Sequence, residues 1–359
     1  MKIAIIADAL DTQQAGIHVY VKELLNAIYS LDCSHDIHII RASENKNYPK
    51  WKEHYIKVKR IPFHIRWRQL TSIPALLNKL NPDIVFETAH FGPFRLRKEI
   101  KRVTMIHDLT PILFPEYHSF SSYIAHKLLL KGIIKRADHV IVNSKHTQSD
   151  LAEWSPVSRN KSKVVHLAPL TKLPTNNDLP VIEGRYILTV GTIEPRKNHL
   201  QLIEAFENLR NSRIKLVIAG SIGWKSKKIV TRIKNSTKKD SIKLMGRVSN
   251  KTLANLYQNA EMMVYPSYYE GFGLPVLEAM SCGTPVIVSN VSSLPEIIGT
   301  SGLTFPPNNQ DQLVEKINQL LDNESLVQAL SKKSLQQAAK FSWDKTAKET
   351  LAVFEQLMT

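Results

Sequence analysis

Two cysteines in 359 residues, Cys33 and Cys282, lie far apart and cannot lace the chain into a disulfide framework. Their scarcity points to a reducing, cytoplasmic setting. No apolar run approaches the ~20 residues that a transmembrane helix needs. The opening run Met1–Ala7 is too short for a secretory signal, and Asp8 interrupts it. Motifs are missing as well. There is no Gly-x-Gly-x-x-Gly fingerprint, no Cys/His spacing of the zinc type and no Asp-x-Asp pair between strands, so neither a dinucleotide nor a metal ion is expected. Nucleic acid is not an expected partner either: no helix-turn-helix or finger is visible, and aromatics do not recur on basic strands.

Acidic residues are the other shortage. Lys and Arg number 48 against 32 Asp and Glu, a formal charge of +16. Residues 1–170 carry 25 cations against 15 anions, and residues 171–359 carry 23 against 17. The densest basic runs are Lys57–Arg68 and Arg95–Arg102. The first interleaves Ile61, Phe63, Ile65 and Trp67 with cations, the pattern of a face that meets an anionic bilayer. A solvated surface in a Lys-rich chain explains it equally well.

What is present is an alternation of short apolar runs with helical patterns. The runs are Lys2–Ala7, Asp36–Ile40, Asp83–Phe86, Val103–Ile106 and His139–Val142, then Tyr186–Val190, Ile214–Gly220, Ile242–Val248 and Glu261–Tyr265. Helical periodicity is expected over 66–80, 123–134, 200–209, 274–281, 311–321, 326–341 and 342–357. This alternation implies α/β architecture, with parallel sheets covered on both faces. A Pro- and Asn-containing stretch, Leu170–Pro180, is the best domain boundary. The chain therefore divides into 1–170 and 171–341, with a last helix over 342–359.

In parallel sheets ligands sit beyond the strand C-termini. The polar loop Asp11–Gly16 follows the first strand, His107-Asp108 follows Val103–Ile106, and Asn143-Ser144 precedes His146 after His139–Val142. A lone His is more often structural, but a strand C-terminus improves its standing. Beyond Tyr186–Val190 comes Gly191-Thr-Ile-Glu-Pro-Arg-Lys-Asn198, which puts Arg196 and Lys197 at a helix start. Cations there oppose the macrodipole, at a local cost that a bound diphosphate would reverse. The stretch Pro266–Met280 sets Glu270 in a Gly-containing turn and Glu278 just inside a helix, with Pro275 near the first turn. Carboxylates so placed suit sugar hydroxyls. Taken singly, each Glu also reads as a solvated charge.

The E-x7-E spacing of Glu270 and Glu278 resembles that of retaining glycosyltransferases of family 4. So do Cys282–Asn290, Leu294–Gly299 and the Gly-x-x-Glu-Pro-Arg-Lys-Asn element. The run His107–His118 is similar to that of mannosyl- and rhamnosyltransferases within the family. The resemblance implies the GT-B fold: two Rossmann-like domains facing across a cleft, with the C-terminal helix crossing back to the first. It also implies an acceptor domain at 1–170 and a donor domain at 171–341. The reaction would be metal-independent hexosyl transfer from a nucleoside-diphosphate sugar, GDP-mannose first, to a saccharide or lipid-linked acceptor in polysaccharide synthesis. The enzyme would be cytoplasmic, or peripheral on the inner membrane face.

Arg196 and Lys197 would hold the diphosphate with help from Gly16, Gly191 and Gly220. Arg247 and Val248 would meet the base, and Glu278 the ribose. Glu270, Gly271, Phe272, Gly273 and Leu274 would grip the sugar. His107 would reach the sugar or its phosphate, with Asp108 on the acceptor side. One departure is Thr192, where many members carry Arg. A sugar epimerase or phosphorylase of the same fold and, more remotely, a non-enzymatic basic nucleic-acid binder remain as alternatives.

Overall fold

The computed structural model describes residues 1–12, 16–31, 33–44, 48–58, 67–170, 179–210 and 213–359. Parts of the basic run with Ile61, Phe63 and Ile65, of the loop before Gly16 and of the expected boundary stretch lie outside them. Two compact units result. One comprises Met1–Pro115, Ser119–Leu167 and Trp343–Thr359; the other comprises Glu116–His118 and Ala168–Ser342.

The first unit is built on seven parallel strands: β1 (Lys2–Ile6), β2 (Asp36–Arg41), β3 (Lys52–Tyr55), β4 (Ile84–Glu87), β5 (Lys101–Ile106), β6 (His139–Val142) and β7 (Ser162–Val164). They lie in the order β3-β2-β1-β4-β5-β6-β7. β1 is central, with Ile3 paired to both Ile37 and Ile84, and Ile3, Ala4 and Ile5 are wholly buried. That double-sided burial is why it is written as an unbroken apolar run. Helices α1 (Gly16–Ser30), α2 (Ile73–Leu80), α3 (Phe120–Arg136) and α4 (Lys145–Trp154) connect the strands. Ser119 and Ser144 cap α3 and α4 by accepting from Ser122 N and Thr147 N.

The second unit repeats the plan in β8 (Tyr186–Val190), β9 (Lys215–Ala219), β10 (Ile242–Gly246), β11 (Met262–Tyr265), β12 (Val286–Ser289) and β13 (Leu303–Phe305). Their order is β10-β9-β8-β11-β12-β13, again parallel. Its helices are α5 (His199–Glu207), α6 (Lys227–Lys234), α7 (Asn250–Gln258), α8 (Leu274–Ser281), α9 (Leu294–Ile298), α10 (Gln310–Leu321) and α11 (Glu324–Ala338). In each sheet the strand order reverses once, between β1 and β4 and between β8 and β11. The strand ends flanking such a reversal are where an open α/β sheet offers a crevice.

Several elements differ from expectation for clear reasons. β3 and β7 are edge strands with polar sequences, so they lack the apolar run that marks the inner strands. The helix expected over 66–80 is a π-turn, Arg68–Ser72, running into α2. Pro74 sits in the first turn of α2 and supplies no N–H. The π-turn carries Arg68, wholly buried, inward onto Asp8.

The last helix, α12 (Trp343–Gln356), packs within the first unit. Phe354 meets Phe86 of β4 at 5.3 Å between ring centroids, and Thr346 Oγ1 donates to His166 O at 2.8 Å. Phe354 is fully buried. Truncating such a ring leaves a cavity, so Phe354→Ala is expected to cost about 3–5 kcal/mol. Urea unfolding should show a lowered midpoint; a change under about 0.5 kcal/mol, the usual size for a surface site, would show the helix to be dispensable to the unit.

Candidate active site

The loops after β8 and β11 meet at the second sheet's reversal. After β8, Gly191 leads into a 3-10 turn, Pro195–Lys197, ahead of α5. Both cations are mostly buried and paired there. Lys197 Nζ lies 2.6 Å from Glu270 Oε1 and donates to Tyr265 Oη at 2.6 Å. Arg196 Nη1 lies 3.1 Å from the same Glu270 oxygen and donates to Tyr269 O at 2.6 Å. The cost expected of two cations at a helix start is thus met inside the protein, by Glu270, 73 positions away from Lys197 in sequence, and by Glu194, whose Oε1 lies 2.7 Å from Arg196 Nη2. Burial pushes the Glu270 carboxyl upward, but Arg196 and Lys197 pull harder and bring its pKa to about 2. Burial lowers the Lys197 ammonium, and Glu270 opposes that shift. Both cations therefore sustain the Glu270 charge, and Glu270 in turn supports the Lys197 charge against burial and the neighbouring Arg196.

Backbone contacts hold Glu270 in place. Its N–H donates to Ser292 Oγ at 2.9 Å, and Ser293 Oγ donates to the carbonyls of Glu270 and Phe272 at 2.9 and 2.7 Å. Gly271 and Phe272 are buried beside it, and Gly273 caps α8 at φ 107°. A Cβ on Gly273 would stand 2.8 Å from Leu294 Cδ2. Gly220 is demanded by a closer approach still, since a Cβ there would fall 1.9 Å from Gly191 O. Gly191 and Gly220 therefore let the loops after β8 and β9 lie backbone to backbone. Leu274 opens α8, half-buried, and Arg247 is exposed and Val248 half-buried beyond β10.

Glu278 sits one turn into α8, buried, and accepts from Tyr257 Oη at 3.0 Å through Oε2. Its Oε1 has no hydrogen-bond partner among the described residues. Burial lifts its carboxyl to about 7, against the downward pull of the Tyr257 hydrogen bond. The two acids are thus set apart by surroundings, Glu270 fixed as a carboxylate and Glu278 poised at neutrality.

The remaining candidates belong to the first unit. Gly16 is the exposed first residue of α1. His107 is buried at the end of β5, and its Nε2 lies 2.9 Å from Thr88 O. That contact makes Nε2 the protonated nitrogen, and burial lowers the pKa of the ring. His107 N donates to His90 Nε2 at 2.9 Å, and the two rings stack at 5.4 Å. Asp108 Oδ1 accepts from Thr110 N and Oγ1 at 2.9 and 2.6 Å, which shapes the turn into the short helix Thr110–Leu113. Ser144 caps α4, and His146 lies 3.4 Å from Asp150 one turn on.

Sequence reasoning passed over several participants. Tyr265, Tyr257, Ser292, Ser293 and His90 carry no motif. Of these only Tyr265 had a usable signal, as the last residue of a buried strand. Also missed was a buried charge group at the first sheet's reversal. There Asp8, after β1, pairs with Arg68, and Glu87, ending β4, is driven well above its usual range by burial and by Asp8.

If Glu278 meets a ribose, as the family resemblance implies, nucleotide affinity should rise with pH through about 7 as Glu278 loses its proton, since a hydroxyl donates best to an ionised carboxylate. Calorimetric titration of GDP at pH 6 and pH 8 tests this. Wild type should gain more affinity between the two than Glu278→Gln, in which only the nucleotide's own phosphate titrates. Parallel profiles would contradict the role.

Two family models match the chain. Glycosyltransferase Family 4 matches residues 15–168, and Glycosyl transferases group 1 matches residues 179–337. O-antigen chain mannosyltransferase B of Escherichia coli is 33% identical over 288 residues, which span 77% of this chain and 75% of the relative. The serotype-specific mannosyltransferase WbdA of Escherichia coli is 28% identical over 72% of this chain, which matches 34% of that longer protein. Among solved structures, a sucrose-phosphate synthase from Thermosynechococcus elongatus superposes with a TM-score of 0.80 at 22% identity, over 100% of this chain and 99% of that one. WaaG, a glycosyltransferase involved in lipopolysaccharide biosynthesis, gives a TM-score of 0.72 at 15% identity, over 97% and 98%. Two Rossmann-like units, a shared GT-B fold and matches along both halves lead to one conclusion: this chain belongs to the family 4, group 1 glycosyltransferases.

Proposed function

We propose that the protein transfers a mannose-like hexose from a nucleoside-diphosphate sugar, GDP-mannose first, to a saccharide or lipid-linked saccharide, with retention at the anomeric carbon. The observation that carries this reading is the Arg196–Lys197 pair held in ion pairs with Glu270. Two preorganised cations beside glycine-shaped backbone suit a diphosphate leaving group. The names of the relatives favour mannose and an O-antigen-like product.

The bond between the anomeric carbon and the donor phosphate oxygen breaks while the acceptor hydroxyl attacks from the same face. The hydroxyl proton passes to the departing phosphate oxygen, and the products are the glycoside and the nucleoside diphosphate. Arg196 and Lys197 stabilise the charge that builds on the phosphate. Glu278 holds the ribose through its open Oε1. His107 is neutral with Nε2 engaged, so Nδ1 is an acceptor suited to a sugar hydroxyl rather than to a phosphate oxygen.

Among the described residues, no helix is long and apolar enough to cross a membrane. A lipid-linked acceptor would instead be met at the bilayer surface. Support comes from α3, where Phe120 and Leu128 are 77% and 71% exposed among Lys127, Lys131 and Lys135.

Incubation with GDP-mannose and a manno-oligosaccharide acceptor should yield a product longer by one hexose, and UDP-, dTDP- and ADP-sugars should react more slowly. Lys197→Ala should lower turnover by roughly 10²–10³-fold, as losing one such donor does elsewhere. Glu278→Ala should chiefly weaken nucleotide binding. Full activity in both variants would refute the assignment.

A further inference from the structure

A cavity of about 350 Å³ opens in the second unit where the start of α5 faces α6 and the chain leading into α10. This volume is at the lower end of the roughly 300–1,000 Å³ that ligand pockets occupy. Its wall includes Tyr268, Pro195 and Pro307, and the polar residues Asn198, Gln201 and Glu204. Asn198 and Gln201 are 4% and 8% exposed. Asn198 Nδ2 donates to Gln201 Oε1 at 2.6 Å and to Pro307 O at 3.0 Å. This leaves Asn198 Oδ1, an acceptor, and Gln201 Nε2, a donor, without a partner among the described residues. Neither atom is among the fully buried ones that lack a partner, so both are open to whatever fills the cavity.

His199 also lines the cavity and is almost wholly buried, and among the described residues its Nδ1 has no hydrogen-bond partner. Glu204 is half-buried and close enough to Tyr268 to raise the pKa of that phenol, whose largest shift comes from burial. Among the described residues no lysine or arginine lines the cavity. A phosphate or carboxylate would find no counter-charge there. An adjacent donor and acceptor match an alcohol, which gives one hydrogen bond and takes another. A carboxylate nearby accepts from further hydroxyls, and the tyrosine and proline rings offer apolar faces to the C–H side of a pyranose.

We propose that this cavity binds an uncharged saccharide, a unit of the acceptor glycan remote from the residue being extended. The inference rests on the glycan-transfer reading above. The cavity shares the Pro195–Lys197 turn with the Glu270 site but not its charges: Pro195 and Asn198 border the cavity, while Arg196 and Lys197 face Glu270. Occupancy would therefore brace the turn that carries the two cations, from the opposite side.

Mannotriose is the probe, titrated by calorimetry and by saturation-transfer NMR into the full-length protein saturated with GDP. Wild type should bind it, and Tyr268→Ala and Glu204→Ala should each weaken binding roughly tenfold, the loss of about one hydrogen bond or packed ring. Glu204 is partly exposed, so its variant keeps the test readable if Tyr268→Ala misfolds. Lys197→Ala should bind mannotriose as wild type does. Absence of binding, or binding that survives both cavity variants and disappears in Lys197→Ala, would overturn the proposal. GDP titrated alone separates the two ideas: failure of wild type to bind GDP sinks the donor reading, while the mannotriose series still reports on the cavity.

Discussion

A single carboxylate oxygen, Glu270 Oε1, lies within 3.1 Å of Arg196 Nη1 and 2.6 Å of Lys197 Nζ. Without it, Arg196 would keep only Glu194 and Lys197 would lose its ion-pair partner at the positive end of α5, in a setting whose burial already opposes the Lys197 charge. With it, the ammonium gains a counter-charge, and both cations are fixed in direction and mostly buried. Those are the properties that make a cation pair effective against a charge that appears only during reaction, because no reorganisation is left to do. The serine pair Ser292-Ser293 and the glycines around Phe272 matter chiefly because they keep that oxygen where it is.

Sheet topology explains why this group forms where it does. Both units place their first strand centrally and reverse order beside it, so the loops after β8 and β11 are forced together, as are those after β1 and β4. At both reversals buried charge accumulates: Glu270 with Arg196 and Lys197 in one unit, Asp8 with Arg68 and Glu87 in the other. The balance differs. Glu270, facing two cations, is held fully ionised, whereas Glu87 shares one arginine with Asp8 and is driven toward its neutral form.

Much of this was legible in the chain. Inner parallel strands must be apolar on both faces, so β1, β8 and β11 announce themselves, as does the contiguous run from Pro266 to Met280. The polar edges β3 and β7 do not, because burial on one side demands no apolar run. Contacts between distant loops were equally hidden. Nothing near Lys197 names Glu270 as its counter-ion, and nothing near Glu278 names Tyr257. The roles given to Glu270 and Glu278 looked alike in sequence, as two acceptors, and their environments separate them by burial and by neighbouring charge. His107 was visible at a strand end, but the tautomer that limits what it can bind depends on the Thr88 carbonyl.

The central claim is that Glu270 keeps Lys197 an ammonium ion, and the proton on Lys197 can be followed directly. Titration of the Lys197 side chain by heteronuclear NMR, in wild type and in Glu270→Gln, reads it without reference to turnover. The variant should lose the Lys197 proton at a distinctly lower pH than wild type, because burial then acts without its counter-charge. A Lys197 titration that is the same in both proteins would contradict the account.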